Sequence, residues 1–160
     1  MLEIEIGLPN LTLEQVELVA KSREVRLKIA GSARAKMEQS RAFLAAGVEK
    51  DRTIYGVNTG FGLLSNVRIS SDELEDLQYN LLRSHAVGVG PSMNEEVVRA
   101  MLLLRAHNLS IGHSGVRPEL VEQIVALIEN NIHPVVPQQG SVGASGDLAP
   151  LAHLALVLIG

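Results

Sequence analysis

Residues 118–160 contain no Lys and no Arg, and Glu119, Glu122, Glu129 and Asp147 are their only acids. All 14 cations and the other 14 of the 18 acids lie in residues 1–117. A segment this apolar has to be covered, because exposed aliphatic surface is driven out of water. It ends on ALVLIG with no polar flank, so the sequence reads as the front part of a larger protein or as half of an assembly. At 160 residues the chain suits one compact unit and is short for two, so no separate second domain is expected within 1–160.

Composition removes several classes. With 46% hydrophobic and 20% charged residues the chain is not disordered. Phe43, Tyr55, Phe61 and Tyr79 are its only aromatics, too few for a base-stacking platform, and the net charge of −4 offers phosphates no attraction. Nucleic acid is therefore not an expected partner. There is no Cys, hence no disulfide, thiolate nucleophile or Cys-held zinc. The histidines give no metal spacing: His107 and His113 are six apart, while His133 and His153 fall in separate elements. They read as structural polar groups. The start MLEIEIGLPN lacks a basic, apolar leader, and LAPLAHLALVLIG is too short to cross a bilayer. No membrane association and a cytoplasmic location are expected.

Local patterns predict a mainly α chain with a small mixed front region. Leu2, Ile4 and Ile6 alternate with Glu3 and Glu5, and Val25, Leu27 and Ile29 alternate with Arg26 and Lys28, giving two short strands able to pair. Thr12 with Gln15 signals a capping box for a helix over 13–22. Ser32 is a candidate cap for a helix ending near Gly47, and Ser70 with Glu73 for one over 71–87. The latter carries an inner stripe of Leu74, Leu77, Leu81 and His85. Further helices are predicted over 95–111, stopped by Gly112, and from Pro118 to Asn131. Pro134 and Pro137 force extended chain ahead of a glycine-studded loop and a final apolar helix over 150–159.

Three segments bear chemistry. In GSVGASGDLAP, 140–150, the bland reading is an anion-holding loop before a helix, capped by Asp147 or Ser145. A sharper one is backbone cyclisation. Gly146 N, the least hindered amide, would attack Ala144 C, and loss of the Ser145 hydroxyl would leave an electrophilic methylene. In YGVNTGFG, 55–62, Tyr55 is either a core aromatic or a base whose phenolate needs nearby positive potential, its ordinary pKa being about 10. In SHAVGVG, 84–90, His85 on an apolar stripe reads by itself as a hydrogen-bonded interior residue.

The run SVGASGDLAPLAH, residues 141–153, resembles the prosthetic-group signature of the aromatic amino acid ammonia-lyases, and the other two segments follow in that family's order. The resemblance implies that Ala144, Ser145 and Gly146 form 4-methylidene-imidazol-5-one (MIO), with no metal or external cofactor. It implies that Tyr55 removes the substrate β-proton, that Gly62 lines the substrate site through its backbone, and that His85 meets the substrate side chain. Ser84-His85-Ala86 is similar to the histidine-specific branch, which converts L-histidine to trans-urocanate and ammonia. A phenylalanine or tyrosine lyase, or an aminomutase, would use the same electrophile. The implied fold is the N-terminal part of the ammonia-lyase fold, a small α/β front leading into long bundled helices. The implied partners are a small amino acid and further copies in a homotetramer. Because the family's later pocket residues lie beyond position 160, these residues by themselves could also be a non-catalytic assembly module.

Overall fold

A computed structural model describes residues 2–50, 52–70 and 72–160. The two alternating segments form β1 (Leu2–Ile6) and β2 (Val25–Ile29), paired in parallel with Ile4 opposite Leu27 and Ile6 opposite Ile29. Parallel pairing follows from the crossover between them, helix α1 (Leu13–Lys21). Its predicted capping box is present: Gln15 N donates to Thr12 Oγ1 and Thr12 N to Gln15 Oε1, at 3.3 and 3.0 Å. Ile4, Ile6, Val25 and Leu27 are buried, whereas the side chain of Leu2, also assigned to the inner face, lies outside the described residues.

Helix α2 (Gly31–Glu49) starts earlier than Ser32 predicts. Ala30 N donates to Ile6 O at 3.1 Å, so the strand ladder runs straight into the helix and Ser32 falls within the first turn. Helix α3 (Leu74–His85) starts later than its capping signal suggests. The Ser70 hydroxyl donates to the Glu73 carboxylate at 2.5 Å, leaving a turn there rather than a box. The predicted first residue, 71, lies outside the described residues. Leu74, Leu77, Leu81 and His85 are half-buried, and α3 packs on the last helix.

The core centres on α4 (Glu95–Ser110), capped by Asn94 through Val97 N at 2.9 Å and followed by left-handed Gly112. Val98, Leu102, Leu103, Ala106 and Leu109 are buried, and α4 packs against α1, α2, β1 and α5 (Pro118–Glu129), which opens on Pro118 as predicted. The extended chain after α5 does more than run extended. Strand β3 (Val89–Ser92) pairs antiparallel with β4 (Pro137–Gln139), a ribbon that sequence patterning misses because Pro and Gln are poor strand formers. Helix α6 (Leu148–Leu156) begins before residue 150 and buries Ala149, Pro150, Ala152 and Leu154. Among the described residues no helix is long and apolar enough to cross a membrane.

Arg99 ties this core together from inside. It is 3% exposed, yet each of its three guanidinium nitrogens donates to an acceptor. Nε donates to Val19 O at 2.9 Å and Nη2 to Ser22 O at 2.6 Å, both at the end of α1. Nη1 donates to Ile128 O at 2.9 Å in the last turn of α5 and to Asn131 Oδ1 at 3.0 Å. Two helix C-termini, each carrying partial negative charge, thus converge on one buried cation. Arg99→Ala takes the donor from Val19 O and Ser22 O, at about 1–3 kcal/mol each when left unsatisfied, whereas Ile128 O keeps the amide hydrogen of Asn131 at 3.2 Å. Urea unfolding is expected to show a loss of at least about 2 kcal/mol, only partly restored by Arg99→Lys, whose point charge cannot span both helix ends. A loss under about 1 kcal/mol would show that water replaces the side chain.

Candidate active site

The loop between β4 and α6 is wound around one carbonyl. Val142 O accepts from Ser145 N at 2.9 Å, Ser145 Oγ at 2.8 Å and Asp147 N at 3.3 Å. This folds Gly143–Ser145 into a single 3-10 turn, from which Gly146 N donates to Gly143 O at 3.0 Å. The chain reverses through two consecutive left-handed residues, Gly146 at φ 89° and Asp147 at φ 57°. Glycine suits the first because an L side chain is strained there. Asp147 stands at the N-cap position of α6 without capping it, since its carboxylate accepts from Ser141 Oγ at 2.5 Å. The Ser145 hydroxyl is likewise committed to Val142 O, so neither residue is the side-chain cap of the bland reading. Residues 141–146 are exposed.

His85 ends α3 with a fixed ring. Nδ1 lies 2.8 Å from Leu81 O and 3.2 Å from Ser84 Oγ, and Ser84 Oγ itself donates to Leu81 O at 3.0 Å. A carbonyl only accepts, so Nδ1 bears a hydrogen and Nε2 is the nitrogen left to meet a ligand. Three residues on, Gly88 N donates to His153 Nε2 of α6 at 3.0 Å. The glycine loop closes on the same point: a Cβ on Gly140 would lie 3.0 Å from Gly88 Cα. The His85 segment and the Ala144-Ser145-Gly146 loop are therefore joined.

Tyr55 opens a loop that is bonded to itself. Asn58, 3% exposed, accepts from Ile54 N and donates to Arg52 O, both at 2.7 Å. Ile69 N donates to Asn58 O at 3.0 Å, Gly60 N to Val67 O at 2.9 Å, and Thr59 bridges Arg68. This buried floor holds Tyr55 outward, 64% exposed, with its ring edge-to-face on Phe61 at 5.9 Å. Tyr55 is not a core aromatic. Gly62 opens a 3-10 turn at φ 55°, exposed. Tyr55 and Ser145 both face solvent, so the described residues do not enclose them in one cavity. Exposed apolar side chains border all three segments, among them Leu63, Leu64, Val87, Val89, Val142 and Leu148.

Elsewhere, histidines serve as structural groups. His107 Nδ1 accepts from Gly7 N at 3.3 Å, and burial pushes its pKa below the ordinary imidazole value. His133 lies 3.4 Å from Arg99 Nη1 and 3.7 Å from Glu95.

The sequence model described as aromatic amino acid lyase matches residues 11–160. The chain belongs to that family. Histidine ammonia-lyase of Geobacillus thermodenitrificans is 55% identical over 151 residues, covering 94% of this chain and 30% of that relative. Among solved structures, histidine ammonia-lyase from Trypanosoma cruzi superposes with a TM-score of 0.88 at 36% identity, covering 100% of this chain and 30% of that one. Tyrosine aminomutase from Streptomyces globisporus gives 0.92 at 37% identity, covering 99% and 29%. This aromatic amino acid lyase chain thus spans about three-tenths of the length of the proteins it matches. Its mainly α architecture with a small β front is that of the N-terminal part of the lyase fold.

Asn58 and His153 are site-supporting residues that sequence reasoning did not assign. Both stand inside the quoted motifs or their flanks, and that position was the available signal. Asn58→Ala strands Ile54 N and Arg52 O, at about 1–3 kcal/mol for each group left buried. Limited proteolysis of this variant is expected to cut within residues 52–69 well before the parent is cut. Equal protection would mean that the loop is held by its apolar contacts.

Proposed function

We propose that residues 1–160 are the N-terminal catalytic portion of a longer histidine ammonia-lyase, cytoplasmic and homotetrameric, that converts L-histidine to trans-urocanate and ammonia. The observation carrying this reading is the junction of two segments at Gly88: the uncapped Ala144-Ser145-Gly146 turn and the helix end presenting His85. The turn fits the group that the family's chemistry requires. Left-handed Gly146 has nothing within 4 Å of a would-be Cβ, and the Ser145 hydroxyl lies on an exposed turn. Ala144, Ser145 and Gly146 would hold the MIO group, which supplies an electrophilic methylene as electron sink.

The chain's own residues do the rest. Tyr55 is the base for the β-proton, taken as ammonia leaves the α-carbon. The positive potential that a phenolate needs has to come from around it. His85 orients the substrate imidazole through Nε2, its Nδ1 being held by Leu81 O. The Gly62 backbone lines the same site, with no side chain to crowd a ligand. The exposed apolar rim around these segments supports assembly with other parts of a tetramer, which would exclude water from the site. The 55% identity to a histidine ammonia-lyase supports histidine as substrate. A second reading, a tyrosine-type lyase or an aminomutase with the same electrophile, is favoured by the likeness to tyrosine aminomutase.

In the full-length protein the polypeptide is expected to weigh less than its sequence by two waters, and Ser145→Ala, with no hydroxyl to eliminate, to lose one at most. Tyr55→Phe is expected to fold and mature normally but to lose about 10²–10⁴-fold in kcat, the usual contribution of a general base. Encoded mass in the parent would overturn the electrophile, and near-parental turnover by Tyr55→Phe would overturn the base.

A further inference from the structure

Gly88 receives the chain from both sides of the Ala144-Ser145-Gly146 turn. Ahead of it, Gly140 approaches so closely that a Cβ would sit 3.0 Å from Gly88 Cα, and β4 pairs Gln139 with Val89. Behind it, His153 Nε2 accepts the Gly88 amide hydrogen at 3.0 Å. A Cβ on Gly88 would meet His153 Nε2 at 3.0 Å and Pro137 Cβ at 3.1 Å, so the contact admits only glycine without rearrangement. Gln139 and Gly140 ahead of the turn, and His153 within α6 behind it, thus lie against Val89 and Gly88 of one other segment. Nothing in the proposed mechanism uses His153.

We propose that His153 is a positioning residue for the ring closure itself: its bond to Gly88 fixes the C-terminal end of the loop so that the turn stays compressed while it cyclises. This rests on the reading that the triplet forms the prosthetic group. Ring closure bonds Gly146 N to Ala144 C, and the Gly146 amide proton passes to the Ala144 oxygen. That oxygen leaves as water with the proton of Ser145 N. A second water takes the Ser145 α-hydrogen and hydroxyl, leaving a methylene, and no oxidant is consumed. Before this, Ser145 N is bonded to Val142 O and Gly146 N to Gly143 O, at 2.9 and 3.0 Å. Cyclisation has to give up both bonds. Once they are gone, fastened ends keep the loop from relaxing to extended conformations that separate Gly146 N from Ala144 C.

The test compares the full-length parent with His153→Leu, which keeps bulk and loses the acceptor, and His153→Gln, whose Oε1 can replace Nε2. The readouts are intact mass during maturation, far-ultraviolet circular dichroism and hydrogen exchange. We expect loss of two waters in the parent and in His153→Gln. His153→Leu is expected to be folded, to lose them about a hundredfold more slowly, and to exchange faster across 140–147. A folded His153→Leu that matures like the parent would overturn the inference alone, as would a folded His153→Gln that does not mature. A parent that keeps its encoded mass would overturn both this and the proposed electrophile. Should His153→Leu not fold, the Gly88 amide of the parent decides: strong protection supports the bond, and rapid exchange overturns it.

Discussion

One buried guanidinium organises the front of this chain. Arg99 rises from the middle of the core, where a charge is costly unless every donor is met. It meets carbonyls at the ends of α1 and α5, the places where a helix has acceptors to spare. That bond set holds the C-terminal ends of α1 and α5 together, and Leu27 N, donating to the Glu129 carboxylate at 2.8 Å, ties α5 to β2. The extended chain that leaves α5 then runs to the ribbon and the glycine loop.

The site regions use the same economy of backbone groups at smaller scale. Val142 O gathers three donors, and Leu81 O lies within hydrogen-bonding distance of both the His85 ring and the Ser84 hydroxyl. Asn58 satisfies a donor and an acceptor under the Tyr55 loop. Residues 142–147 and 52–69 are irregular segments held by such bonds, whereas the His85 ring is held within the last turn of α3. Two of these segments meet at Gly88 within this chain. The third, with Tyr55, is held by bonds within residues 52–69 and faces solvent.

Much of the fold is legible in local pattern. Alternation at 2–6 and 25–29, Thr12 with Gln15, Pro118 and Gly112 each act through neighbours only a few residues away, and each stands where expected. What pattern does not reveal depends on distant partners. Helix α2 starts before Ser32 because Ala30 bonds Ile6, and Ser70 spends its hydroxyl on the Glu73 carboxylate. The β3–β4 ribbon joins segments about fifty residues apart, and Arg99 reaches Val19, eighty residues away. The proposed site residues Tyr55, Gly62, His85, Ala144, Ser145 and Gly146 come from motifs in the sequence. His153 reads from the sequence as a structural polar group, but its bond to Gly88 and those of Asn58 are not visible there, since spacing cannot show them.

We propose that a histidine-specific lyase is built on these motifs, although a tyrosine aminomutase is also similar to this chain, at 37% identity. The decisive measurement is a product analysis of the full-length protein offered L-histidine, L-tyrosine and L-phenylalanine separately, with ammonia quantified. Trans-urocanate and an equal amount of ammonia are expected from histidine, with the other two amino acids turned over far more slowly. A β-amino acid formed without ammonia, or a cinnamate-type product formed faster than urocanate, would contradict it.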